Sequence, residues 1–260
     1  MRSLRDGLRH ALPSVLLVAL IVLAWEGLVR ALAISPVVLP APSRVISALW
    51  DARGAAAGHT VTTLEETIVG FSVSVVFAVA AALAMDSVFW IRRALYPILV
   101  TSQTIPIVAV APLLVIWFGP LGLLPKITVV VLVTFFPVTV ALLDGLAGTD
   151  PDATSLLETM GASRSQILFK LRLPGALPSF FTGLRIAVTY AVIGAIFGEQ
   201  VGAVNGLGIW MILSKNLFRT DLVFGAILVT AGLTIALWLL VGLIERITIP
   251  WYRASRTGRA

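Results

Sequence analysis

Six stretches of this chain run almost wholly apolar for the length that a membrane crossing demands, with short polar segments between them. A helix needs about 20 predominantly apolar residues to traverse roughly 30 Å of hydrocarbon. The stretches near Leu12 to Leu32, Leu64 to Met85, Leu95 to Phe118, Lys126 to Leu146, Ser179 to Phe197 and Leu222 to Ile244 meet that need. The expected fold is therefore all-α: a polytopic membrane protein with six transmembrane helices in one domain spanning residues 1–260. No polar block is long enough to fold separately. The first stretch is too long, and too poor in a small-residue cleavage site, for a secretory signal, so it is expected to stay as a helix.

One polar interruption, residues 150–174, is too patterned to be a plain connector. From Pro151, the residues Ala153, Leu156, Leu157 and Met160 fall at i, i+3, i+4 and i+7, one face of a short helix, with Asp150 placed to cap its start and Gly161 to end it. The second half opens with Ser163-x-x-Gln166, a capping-box spacing, carries Ile167, Leu168 and Leu171 on one side, and is expected to end before Pro174. Two short helices joined at a glycine make a docking knob. The bland alternative, an amphipathic helix lying on lipid headgroups, is disfavoured by the shortness of the first helix and its acidic first turn, Asp150 and Asp152.

Composition strengthens the membrane reading. The chain is 58% hydrophobic and 12% charged, with mean hydropathy +1.01. A net charge of +6 would suggest an anionic partner in a soluble protein. Here the basic residues sit at segment ends, where they orient a membrane protein, and nucleic acid is not an expected ligand. Arg2, Arg5, Arg9, Arg92, Arg93, Arg164, Lys170, Arg172, Arg246, Arg253, Arg256 and Arg259 put 12 positive charges on one side, against 6 from Arg30, Arg44, Arg53, Lys126, Lys215 and Arg219. Both termini and the Gly161 loop are therefore expected in the cytoplasm. The chain has no cysteine, and its two histidines, His10 and His59, are far apart and read as terminal or loop residues. Neither a thiolate metal site nor an intramembrane enzyme has residues to stand on.

The knob resembles the cytoplasmic coupling loop of bacterial ABC-importer permeases, whose pattern runs Glu-Ala-Ala, three residues, Gly, nine residues, then Ile-x-Leu-Pro. Gly161, Leu173 and Pro174 fall in register and Leu171 stands at the isoleucine position, while Ser155-Leu156-Leu157 replaces the acidic triplet. Further stretches resemble the nitrate, sulfonate and taurine branch of these permeases: Leu39 to Val45, Gln103-Thr-Ile-Pro106, Ala111 to Gly119, Phe135-Phe-Pro137, and Gly198-Glu199 with Gly206-Leu-Gly208. Within that branch, Ile193 to Glu199 and Leu123 to Lys126 are most similar to permeases for thiamine-pyrimidine precursors or riboflavin.

The resemblance implies a type I importer permease in a bacterial inner membrane. It would work as a pair of permeases, more readily two copies of this chain than a heterodimer, with two cytoplasmic ATPases and an extracytoplasmic solute-binding protein. It also implies that Ala153, Leu156, Leu157, Met160, Gly161, Ala162, Leu173 and Pro174 couple to the ATPase. The chain itself has no Walker A motif: Lys126, Lys170 and Lys215 follow Pro125, Phe169 and Ser214, so none completes the Gly-Lys of a phosphate loop. ATP and magnesium are expected on the partner, and no cofactor in this chain.

Inside the apolar stretches, Pro97, Pro106 and Pro112 in the third and Pro137 in the fourth free backbone carbonyls, which hydrocarbon tolerates only beside other protein or water. Gln103, Thr104, Pro106, Thr134, Pro137 and Glu199 are thus candidates for the translocation path, with ordinary helix packing the alternative for any single proline. Gly194, Gly198, Gly202 and Gly206 recur every fourth residue, a strip suited to close packing. Glu199 is expected at the outer end of that strip, contacting solute or solvated at headgroup level, and Asp144 is expected to pair with Arg185. The competing function is an ion-driven secondary transporter, but such proteins place ionisable residues at mid-membrane within duplicated halves. Here Glu26, Asp86, Asp144, Glu199 and Glu245 fall toward segment ends.

Overall fold

A computed structural model, which describes residues 2–119 and 122–251 and only the backbone of residues 2–11, is helical with no strand among those residues. The side chains of Arg2, Arg5, Arg9 and His10, and all of Arg253, Arg256 and Arg259, lie outside the described residues. In chain order the elements are α1 (Arg2–Ala31), α2 (Pro42–Asp51), α3 (Arg53–Ser87), α4 (Phe89–Ser102), α5 (Ile107–Phe118), α6 (Leu124–Ala147), α7 (Pro151–Thr159) and α8 (Arg164–Ile167). A single π-turn, Leu168–Arg172, follows, then α9 (Leu173–Gly202), α10 (Leu207–Asn216) and α11 (Thr220–Thr248). Among the described residues, five helices are long and apolar enough to cross a membrane, and the pair α4 and α5 makes a sixth crossing if counted as one bent span.

The third expected span, Leu95 to Phe118, is not one straight helix: α4 and α5 meet at 101° across residues 103–106. Pro97, Pro112 and Pro137 lie inside helices that continue past them; only Pro106 coincides with a break. Its ring fixes φ near the helical value while biasing Ile105 away from it, so one helix ends and another starts there. Residues 103–105 instead form tight turns, with their N–H groups donating to the carbonyls of Val100, Thr101 and Ser102.

The expected stop before Pro174 is also absent. The helix runs from Arg164 through the π-turn into α9 as one span of 39 residues. A proline removes one backbone donor and crowds the carbonyl four residues earlier. The wider π-turn, in which Leu173 N–H donates to the Leu168 carbonyl, opens that turn and lets the chain pass.

Antiparallel α6 and α9 form the centre of the bundle, with α3 against α6. In lipid, apolar surface gains little by leaving its surroundings, so close packing holds helices together, and small residues permit it. A Cβ on Gly145 would lie 2.9 Å from the Ala176 carbonyl, one on Gly183 3.0 Å from the Pro137 carbonyl, one on Gly194 3.3 Å from Val130 Cα and one on Gly198 3.0 Å from Lys126 Cα. These four contacts follow the shared axis from end to end. On the second face of α6, Gly70 of α3 meets Val130 equally closely, 2.6 Å from its Cβ. The expected glycine strip is therefore half right: Gly194 and Gly198 face α6, whereas Gly206 lies beyond the helix in a turn with φ +130°.

Outward faces are apolar. Leu16, Leu20 and Leu23 on α1 and Leu239 and Leu243 on α11 are exposed, as a bundle surrounded by hydrocarbon requires. Helix α2 is a short amphipathic piece absent from the six expected spans; Val45 and Ala48 are buried against the bundle, while Ile46 and Trp50 are exposed.

Candidate functional site

The knob forms as its residues dictate. Asp150 caps α7 by accepting from Asp152 N–H at 2.9 Å. At the other end the Gly161 N–H donates to the Glu158 carbonyl at 2.9 Å and the Ala162 N–H to the Leu157 carbonyl at 3.0 Å, a Schellman closure that requires the left-handed φ of +79° at Gly161. Ser163 and Gln166 then cap each other reciprocally to start α8. No residue of α7 is buried. Ala153 and Leu157 are half-buried, Leu156 is exposed, and Met160 is 73% exposed. Ala162, Leu173 and Pro174 are half-buried at the root of the knob.

That root is anchored. Arg172, the last residue of the π-turn, forms a bidentate pair with Asp86 in the last turn of α3 and also donates to the Leu146 carbonyl near the end of α6. Arg172 thus ties the root of the knob to the ends of α3 and α6.

The break between α4 and α5 opens a cleft of about 730 Å³ against α6 and α9. Of the expected path residues it brings together Gln103, Pro106 and Pro137, and adds Ser102, Phe136, Tyr190 and Phe197, which the sequence reading missed. Tyr190 stands seven residues after Gly183 and four before Gly194 on α9; a tyrosine in an apolar helix was the available signal. Thr104 lies in the break, its hydroxyl turned to the Thr101 carbonyl. Thr134 is away from the cleft: fully buried, it donates to the Val130 carbonyl of its own helix.

Glu199 is not a solvated carboxylate. It is 0% exposed, at the end of the bundle opposite the knob, and clamps three elements together. Thr63 Oγ1 on α3 donates to its Oε1, and the Gly208 N–H at the start of α10 donates to Oε2 at 2.6 Å. Leu207 N–H donates to Thr63 Oγ1 at 2.9 Å, and Gly206 N–H to His59 Nδ1 at 3.1 Å. His59, expected in a loop, lies in α3 with its ring stacked on Trp210 at 5.5 Å between centroids. The carboxylate takes the place of an N-cap for α10, where unpaired N–H groups and the helix dipole favour negative charge. Gly206 and Gly208 are glycines because a Cβ at either would run into the Glu199 side chain or the Ile196 carbonyl.

Beside this clamp, Glu66 of α3 and Lys126 of α6 form a buried ion pair at 2.8 Å, 1% and 7% exposed. Both residues stand at the same end of their apolar stretches, so topology offers a signal for this pair that the sequence reading missed at Glu66. The expected Asp144–Arg185 pair does not form. Arg185 bonds Glu245 of α11 and lies 4.7 Å over the Trp238 ring, while Asp144 is exposed. Helix α9 turns Arg185 toward α11, where burial in hydrocarbon makes a carboxylate partner most valuable.

Comparison with known proteins agrees with this architecture. The chain is 38% identical to the formylaminopyrimidine transport permease protein ThiX of Halalkalibacterium halodurans, over 93% of this chain and 96% of that protein. It is 33% identical to the riboflavin transport system permease protein RibX of Chloroflexus aurantiacus, over 96% and 94% respectively. Among solved structures, an amino acid ABC transporter superposes with TM-score 0.59 at 14% identity, covering 78% of this chain and 96% of that one, a likeness of fold. The sequence pattern described as binding-protein-dependent transport system inner membrane component matches residues 74–254. With more than half of its length inside that pattern, the chain belongs to this family, the permease subunits of ABC importers, which are not themselves enzymes.

Proposed function

We propose that this chain is the membrane subunit of an ATP-driven importer for a small polar organic solute, first a thiamine-type pyrimidine and next a sulfonate or taurine. It works as a pair of identical permeases with two ATPases, which bind ATP and magnesium, and a solute-binding protein on the far side. The knob and both termini face the cytoplasm, in keeping with the excess of basic residues on that side.

The observation that carries this reading is α7: a capped helix that buries none of its own residues, presents Leu156 and Met160 outward, and is rooted through Arg172 in α3 and α6. An exposed apolar helix face on a rigid root is suited to a groove on a partner. Closure of two ATPases on ATP would draw the paired knobs together and tilt the spans between inward-open and outward-open states. Solute identity follows relatives such as ThiX and RibX, whose names concern pyrimidine and flavin transport.

The test is detergent co-purification with the co-expressed ABC ATPase of the same source, comparing the native knob with one in which Leu156, Leu157 and Met160 are made polar. Retention by the native chain and loss in the variant is the expected result; no retention by either, with both folded, overturns the reading.

A further inference from the structure

We propose that the cleft at the α4–α5 break is a solute-binding site of the permease itself, which accepts an uncharged planar heteroaromatic molecule and refuses small anions. The inference rests on the importer reading and adds to it a selectivity step performed within the membrane.

The break creates the space. Because α5 leaves α4 at 101°, the faces of α6 and α9 are covered only in part: Tyr190 is exposed, and Phe136 and Phe197 are half-buried at the edge of the space. The resulting volume of about 730 Å³ lies within the usual range for small-molecule sites, roughly 300–1,000 Å³, and holds a one-ring or fused-ring solute with room to move. Three aromatic side chains on two helices line the space, a composition suited to stacking on a planar ligand.

The polar groups are few and neutral. Gln103 and Ser102 lie in or beside the break, and Tyr190 faces them from α9. Gln103 Nε2 touches Ser102 Oγ at 3.3 Å; among the described residues, no side-chain hydrogen bond occupies Gln103 Oε1 or the Tyr190 hydroxyl. A carboxamide presents a donor and an acceptor side by side, the complement of a ring nitrogen next to an exocyclic amine, as on an aminopyrimidine or adenine edge.

Charge decides against anions. None of the residues lining the cleft is ionisable apart from Tyr190. Arg185, adjacent in sequence to the lining residue Ile186, is turned to Glu245 and Trp238, and Lys126 is neutralised by Glu66. A sulfonate entering here would lose its water and find no cation in exchange. A neutral heterocycle meets no such penalty.

The absence of cysteine makes the test direct, since one introduced thiol is unique in this chain. An Ile193→Cys variant, in complex with its ATPase in lipid nanodiscs and without the binding protein, is labelled with a water-soluble maleimide in the presence of formylaminopyrimidine or the small anion ethanesulfonate, and label is read on this chain after the subunits are separated. Formylaminopyrimidine is expected to slow labelling in a saturable way and ethanesulfonate to leave it unchanged. Adding Gln103→Leu or Tyr190→Leu is expected to raise the half-protecting concentration about tenfold, the loss of one hydrogen bond. Equal protection by ethanesulfonate, no protection, protection indifferent to both substitutions, or a spontaneous disulfide between two copies at position 193 would each overturn the site. ATPase retention in the same preparation scores the importer reading separately: ATPase retained without protection overturns only the site, and protection without ATPase overturns only the coupling.

Discussion

Arg172 grips Asp86 through both ends of its guanidinium, Nη1 at 2.9 Å from Oδ2 and Nη2 at 2.8 Å from Oδ1, while Nη2 also reaches the Leu146 carbonyl at 3.1 Å. The planar fork suits a bidentate carboxylate, and the spare N–H satisfies a carbonyl in the last turn of α6 that has no partner within the helix. One side chain thus joins the root of the knob to the ends of two long helices.

Arg172→Gln is expected to cost about 1–3 kcal/mol of stability, because the pair is partly exposed and its loss orphans Asp86, while the Leu146 carbonyl keeps the Thr149 hydroxyl as a donor. Its larger effect is on coupling: ATP hydrolysis by the assembled transporter persists while solute uptake per ATP falls. Arg172→Lys restores the charge but not the fork and recovers little. Uptake and ATPase rates measured on one proteoliposome preparation decide; a substitution that leaves their ratio unchanged rejects the anchor.

Gly161→Val tests the turn by conformation alone. Nothing lies within 4 Å of a Cβ built there, so the substitution meets no clash and is opposed only by the φ of +79°. A β-branched residue in the left-handed region costs about 1–2 kcal/mol or more, and the turn is expected to reshape so that α7 is presented wrongly. Uptake falls although the protein still inserts. Gly161→Asn, which tolerates that φ, is expected to retain most uptake. Equal loss in both variants would point away from the backbone and toward direct contact at this position.

What the sequence carried and what it withheld divide along local and non-local lines. The Asp150 cap, the Gly161 closure and the Ser163–Gln166 box depend on residues within a few positions of each other, and each formed as read. Apolar runs likewise marked the crossings, because length against hydrocarbon is a one-dimensional criterion. Partners across helices were different. Similar depth pairs Arg185 with Asp144, but the rotation of α9 turns it to Glu245. The burial of Glu199 follows from a turn at Gly206 that brings the α10 N-terminus back over it, and no spacing in α9 reveals that fold-back. Pro174 reads as a stop because a π-turn that tolerates it has no local signature.

Glu199 separates stability from transport. In Glu199→Gln the amide oxygen can accept from Gly208 N–H while its NH₂ donates to Thr63 Oγ1, whose own hydrogen turns to the His59 carbonyl, 3.1 Å away. This variant is expected to lose about 1 kcal/mol. Glu199→Ala leaves a cavity and an unpaired N–H at the start of α10, for a loss of about 3 kcal/mol or more, with reduced uptake. The ATPase should remain attached in both, since the clamp lies at the opposite end from α7. Thermal melting of the purified permease and co-purification are the measurements; ATPase loss in a folded Glu199→Gln variant would show that the two ends are not independent.

The Glu66–Lys126 pair is buried on both sides, and comparing replacement of one partner with replacement of both tests what it contributes. Both groups are nearly sealed from solvent: Lys126 bonds Glu66 Oε1, and Glu66 Oε2 has no hydrogen-bond partner among the described residues. Removing only Lys126, as Lys126→Met, strands a carboxylate against α6 and is expected to cost about 3–5 kcal/mol, the usual penalty for breaking a buried pair from one side. Replacing both, Lys126→Met with Glu66→Leu, removes the stranded charge and is expected to recover most of that loss, since apolar replacement of a whole buried pair is often neutral. The two melting temperatures together discriminate. If the double variant is no more stable than Lys126→Met alone, the pair is not an isolated electrostatic unit, and its worth lies in fixing how α3 meets α6 beside Gly198, where an apolar pair could pack in more than one way.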